Sequence, residues 1–134
     1  MMRTIIMVSG EGTNLQAVID AALPGIEIIG IVSDNPKAFG LTRAAKMGIP
    51  AFAVDYKSFD KRSNFDKALF ETIQELNPDL IVLAGFMRIL ADGLVAHYHG
   101  RMINIHPSLL PEYPGLNTYN RALNDGAEWH GATV

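Results

Sequence analysis

An amide and an imidazole lie two positions apart in Asn104-Ile105-His106-Pro107-Ser108-Leu109-Leu110-Pro111, at the end of a run that reads as a buried strand. Over Arg101–His106 the strand period of two sets Ile103 and Ile105 on one face and Asn104 and His106 on the other. Burying such polar groups without partners costs roughly 1–3 kcal/mol each, so they need backbone, each other or a ligand. Loop backbone at a strand end could satisfy both. The adjacent pair, followed by a stiff loop flanked by prolines, favours a site. An amide can donate to an oxyanion, and an imidazole with an ordinary pKa of about 6.5 suits acid–base work near neutrality.

A second candidate is Ser9-Gly10-Glu11-Gly12-Thr13-Asn14, which follows an apolar run and opens a helix. Gly10 and Gly12, with Asp34 about 20 positions on, imitate a dinucleotide fingerprint. Leu15 stands where the third glycine of that fingerprint belongs, which argues against a nicotinamide cofactor. The free N–H groups of a helix N-terminus, with Thr13 and Asn14 as added donors, suit a phosphate. Either side chain could also simply cap the helix. The third segment is Ala84-Gly85-Phe86-Met87-Arg88, after another apolar run. His97, His99 and His130 lack metal-ligand spacing and read as surface residues, so no metal is expected.

Short β-branched runs alternate with helical patterns and position these segments. Strands are expected at Thr4–Val8, Ile26–Val32, Pro50–Val54, Leu80–Ala84 and Met102–His106, with another beginning at Gly131. Helices are expected at Thr13–Ala22, Ala38–Met47, Ser63–Leu76, Ala91–Tyr98 and Thr118–Asn124. Gly48 and Asn77-Pro78 act as stops. Repeated βα units without polar alternation in the strands predict an α/β fold: a doubly wound, mostly parallel sheet with helices on both faces. Ligands of such sheets sit beyond the carboxyl ends of the strands, so the three segments are expected to converge on one cleft.

With 134 residues, 49% of them hydrophobic and 19% charged, the chain has enough apolar content for one domain and is not disordered. The net charge of −3, with eleven scattered Lys and Arg, points away from nucleic acid and anionic membranes as partners. The N-terminal apolar run is too short for a signal peptide or a membrane span. The absence of cysteine removes thiol catalysis, disulfides and cysteine-type zinc sites, and is compatible with a reducing cytoplasm.

Ser9-Gly10-Glu11-Gly12-Thr13-Asn14-Leu15-Gln16, Leu83-Ala84-Gly85-Phe86-Met87-Arg88-Ile89-Leu90 and Asn104–Pro111, continued by Tyr113-Pro114-Gly115, together resemble the phosphoribosylglycinamide formyltransferases of purine synthesis. The resemblance runs from end to end. It implies a Rossmann-like formyltransferase fold that transfers the formyl group of 10-formyltetrahydrofolate to the amine of phosphoribosylglycinamide, without a metal. Gly12, Thr13 and Asn14 would hold the substrate phosphate. Met87, Arg88, Ile89 and Leu90 would line the folate pocket and Arg62 would reach the donor. Asn104 would bind the formyl oxygen, also contacting the donor, and His106 would act as the acid. From the residues alone, Arg62 reads as a solvated helix-start residue and Arg88 as a surface charge.

Members of this family run past a segment like His130-Gly131-Ala132-Thr133-Val134, into a loop whose aspartate tunes the histidine. On that basis residues 1–134 are expected to be a single N-terminal catalytic domain, incomplete at its C-terminus and lacking that aspartate. Neither Asp125 nor Glu128 matches its position. A weakly active transferase, a non-catalytic phosphate- and folate-binding remnant and a related formyltetrahydrofolate hydrolase all stay open, as do monomer and homodimer.

Overall fold

The computed structural model describes residues 1–134. The chain divides into two compact units, Met1–Ile103 and Asn104–Val134.

In the first unit, β1 (Met2–Val8) carries a run from Thr4 to Val8 that is buried on both faces. It follows that β1 is central: the sheet order is β3-β2-β1-β4-β5. Here β2 is Ile26–Ser33, β3 Ala51–Ala53, β4 Leu80–Leu83 and β5 Met102–Asn104. β1 pairs in parallel with β2 and with β4, and β2 with β3. Alternation along β1 sends its side chains into two cores. Ile5 and Met7 join Phe65, Leu69, Ile73, Leu94 and Tyr98. These come from α3 (Arg62–Leu76) and from α4 (Asp92–His97) with its C-cap Tyr98. Ile6 and Val8 join Leu15 and Ala44, from α1 (Thr13–Ala21) and α2 (Phe39–Lys46). This is the doubly wound arrangement expected from the βα repeats.

The register slips between Thr4 and Ile5, where Ile28 is followed by Gly30 as partner. A side chain at Gly30 would press on Phe52 and Leu76, with a Cβ 3.3 Å and 3.4 Å from their nearest atoms. Between β3 and α3 a 3₁₀ turn at Tyr56–Ser58 is set by Asp55, whose carboxylate accepts the Lys57 N–H at 3.1 Å. A single turn has no periodicity to reveal it in sequence.

The strand expected at Met102–His106 is shorter and more open. β5 stops at Asn104 and lies at the sheet edge, with Ile103 43% exposed and Asn104 exposed. With these side chains left exposed, the expectation of a buried strand fails here. The period-two face shared by Asn104 and His106 ends with the strand.

In the second unit, His106 and Thr133 exchange N–H···O bonds of 2.8 Å each as an isolated antiparallel bridge. The strand expected from Gly131 is reduced to that bridge. Ser108 and Thr118 are buried polar residues, and each hydroxyl donates to a carbonyl, of Glu112 and Pro107 respectively. Thr133 Oγ1 donates to Ser108 O at 2.7 Å and accepts the Leu110 N–H at 3.0 Å. The proline-rich loop is thus laced by side-chain bonds to backbone, and α5 (Thr118–Asn124) follows it.

Candidate functional site

In the first unit the loops after β1 and β4 are joined directly. Ser9 donates its N–H to Gly85 O at 3.0 Å, and its hydroxyl oxygen accepts the Met87 N–H at 2.8 Å. β1 and β4 flank the point where strand order reverses, the usual ligand crevice of an open α/β sheet.

Gly12 is the N-cap of α1 with φ 75°, and no side chain caps the helix. Simple capping by Thr13 or Asn14 is therefore ruled out; both side chains are exposed beside an uncapped first turn. Gly12 also lies against α2, where an added Cβ would stand 2.9 Å from Gly40 Cα. The Gly10 carbonyl accepts the Gly40 N–H at 3.0 Å and the Glu11 carbonyl accepts Arg43 Nε–H at 2.7 Å.

Asp34 does not await a ribose. Its side chain is 3% exposed, and Oδ2 accepts Arg88 Nε–H at 2.9 Å. Oδ1 is buried without a partner. The Arg88 guanidinium lies over Tyr56, 3.6 Å from the ring centroid. Arg88 is thus a strut between segments and not a free surface charge. Together with Ser9, Asn35, Asp55, Lys57 and Met87, this pair lines a cavity of about 260 Å³.

In the segment from Met87 to Leu90, Met87 and Ile89 are 62% and 84% exposed, whereas Leu90 packs against the core. Arg62, the first residue of α3, pairs with Asp66 at 3.0 Å and donates to the Ile89 carbonyl. The Asp66 hydrogen bond raises the Arg62 pKa. Arg62 is therefore tied to the segment, which its place at a helix start does not reveal.

Asn104 and His106 belong to the second unit. His106 Nε2–H donates to the Tyr113 carbonyl at 3.1 Å, which leaves Nδ1 as the other ring nitrogen. Tyr113, at φ 51°, donates its hydroxyl to Asp125 at 3.0 Å. Desolvation first, then the Asp125 hydrogen bond, raises the Tyr113 pKa. His97 and His99 are exposed. His130 is half-buried: its Nε2 is buried and unpaired, and its ring meets Tyr119 and Tyr113 edge-on at 4.8 and 6.0 Å. No group of three or more acidic or histidine side chains gathers as for a metal ion.

Sequence reasoning missed Ser9 as the link between loops, Arg43, Tyr56 and the Asp34–Arg88 pair. Their partners lie 78, 32 and 54 positions away for Ser9–Met87, Arg43–Glu11 and Arg88–Asp34. No local pattern carries that information.

Residues 2–134 match the formyl transferase family. The phosphoribosylglycinamide formyltransferase of Escherichia coli (strain K12) is 47% identical over 99% of this chain. The chain spans 64% of that relative's length. The solved phosphoribosylglycinamide formyltransferase of Coxiella burnetii superposes with a TM-score of 0.91 at 49% identity, covering 98% of this chain and 63% of its own. That of Brucella melitensis gives 0.91 at 42% identity, covering 98% of this chain and 70% of its own. With a family match over residues 2–134 and solved relatives that superpose over 98% of its length, the chain belongs to the formyl transferase family.

Proposed function

We propose that this chain takes part in transfer of the formyl group from 10-formyltetrahydrofolate to the amine of phosphoribosylglycinamide, in keeping with relatives named phosphoribosylglycinamide formyltransferase. The observation that carries the reading is the joining of the β1 and β4 loops at the switch point, through the bonds from Ser9 to Gly85 and Met87. One loop offers an uncapped helix start at Gly12, Thr13 and Asn14, suited to a phosphate. The other offers an irregular stretch, Met87 to Leu90, with exposed apolar side chains. That combination fits a flat heterocycle with hydrogen-bonding edges, which Arg88, Ile89 and Leu90 would line. Arg62, at 43% side-chain exposure, would meet the anionic end of a folate.

Formyl transfer makes a bond from the amine nitrogen to the formyl carbon and breaks the bond from that carbon to the folate nitrogen. The amine gives up a proton and the folate nitrogen gains one. Negative charge develops on the formyl oxygen, where a preplaced donor lowers the barrier, and Asn104 takes that role. His106 holds its Nε2 proton on the Tyr113 carbonyl, so Nδ1 is the atom that carries and delivers the mobile proton. The substrates are small molecules of the cytoplasm, and the chain acts on them as a monomer or homodimer.

A spectrophotometric assay of formyl transfer on this chain, His106→Ala and Asn104→Ala tests the reading. Each substitution is expected to lower turnover by about 10²–10³-fold. Turnover unchanged in His106→Ala refutes the acid role.

A further inference from the structure

We infer that Arg43 is a positioning residue for phosphate binding, acting through the backbone of the loop between β1 and α1. The inference rests on the phosphate role of Gly12, Thr13 and Asn14 proposed above, and adds what keeps that loop in an anion-binding shape.

A loop that binds an anion through its N–H groups must also dispose of its carbonyl oxygens, because a carbonyl beside a phosphate repels it. Three consecutive carbonyls here are committed elsewhere. Gly10 O accepts from Gly40 N–H at 3.0 Å, Glu11 O from Arg43 Nε–H at 2.7 Å, and Gly12 O from Gln16 N–H at 2.9 Å. Meanwhile the first turn of α1 has no side-chain cap. The carbonyls are occupied and the first-turn donors are left available.

Arg43 is itself held for the task. A second nitrogen, Nη1, donates to Gln16 Oε1 at 3.4 Å, and the guanidinium lies 4.8 Å from the Phe39 ring centroid. Close contact between Gly12 and Gly40 fixes the register, since a Cβ on Gly12 would meet Gly40 Cα at 2.9 Å and Arg43 Cδ at 3.4 Å. A guanidinium serves two acceptors at fixed angles, here a loop carbonyl and a side chain from the first helical turns. A lysine ammonium keeps the charge without that fork.

The test is titration of the chain, Arg43→Met and Arg43→Lys with inorganic phosphate, followed by calorimetry and by amide shifts of Gly12 to Leu15. Arg43→Met is expected to weaken phosphate by about tenfold or more, with melting temperature recorded alongside. Arg43→Lys is expected to weaken it by at least about threefold despite the retained charge. Full rescue by lysine overturns the positioning role, because charge alone would then suffice. Binding in Arg43→Met within about twofold of the parent overturns it too. If Arg43→Met does not fold, Arg43→Lys decides by the same measure. Absence of saturable phosphate binding in the parent chain removes the phosphate reading and this inference together, whereas parent binding that ignores Arg43 removes only this inference.

Discussion

The Asp34 carboxylate is sealed from water with one oxygen on Arg88 and the other unpartnered, so the two residues of this pair differ in what their loss exposes. Arg88→Met leaves a buried carboxylate with no cation, a change that costs about 3–5 kcal/mol in comparable buried pairs. Asp34→Asn leaves a guanidinium that is already 34% exposed and can turn to solvent, so a loss of about 1–3 kcal/mol is expected. Urea unfolding midpoints of the two variants check the order, and equal losses would contradict it. At this scale the sequence displayed the reactive types, Asn104, His106, Thr13 and Asn14. It was silent on which charges are struts, because Asp34 and Arg88 meet only when the ends of β2 and β4 are placed in one sheet.

Gly12, the N-cap of α1, meets Gly40 of α2, and the approach is a matter of missing side chains. A Cβ on Gly12 would meet backbone at 2.9 Å, and one on Gly40 would meet Val8 Cγ2 at 2.7 Å. Gly48 follows α2 at φ 68° with nothing within 4 Å. Gly48→Ala therefore carries only the left-handed backbone penalty of about 1 kcal/mol, whereas Gly12→Ala adds a steric term and is expected to cost at least about 2 kcal/mol. Thermal unfolding of both variants measures the difference, and indistinguishable melting temperatures would remove the packing argument. Gly12 was legible in sequence as a phosphate-loop glycine. Its contact with Gly40 was not, since it depends on how two helices share one face of the sheet.

Across the whole molecule the two units differ in what protects them. The first unit buries Ile5, Ile6, Met7 and Val8 at 0% exposure, with a core on each side of the sheet. Within the second unit only Ser108, Thr118 and Ala122 are buried, and side-chain bonds to backbone hold the loop. Amides of Ile5 to Val8 are therefore expected to exchange with solvent only on global unfolding, and those of α5 by local opening at lower free energy. Hydrogen exchange checks this: equal protection of Thr118–Asn124 and β1 would mean that the second unit does not open independently.

The sequence by itself determined the element order, the parallel doubly wound sheet and the family resemblance, because these rest on local periodicity and on short contiguous motifs. A helix was expected near Thr118 to Asn124, and α5 spans those residues. Tertiary structure decided the edge position of β5, the bridge of His106 to Thr133, the union of two loops at Ser9 and the struts of Arg43 and Arg88. Each of these depends on which strands and helices become neighbours. Neighbours are chosen by the summed burial of many apolar side chains, a quantity that no single stretch of the chain contains.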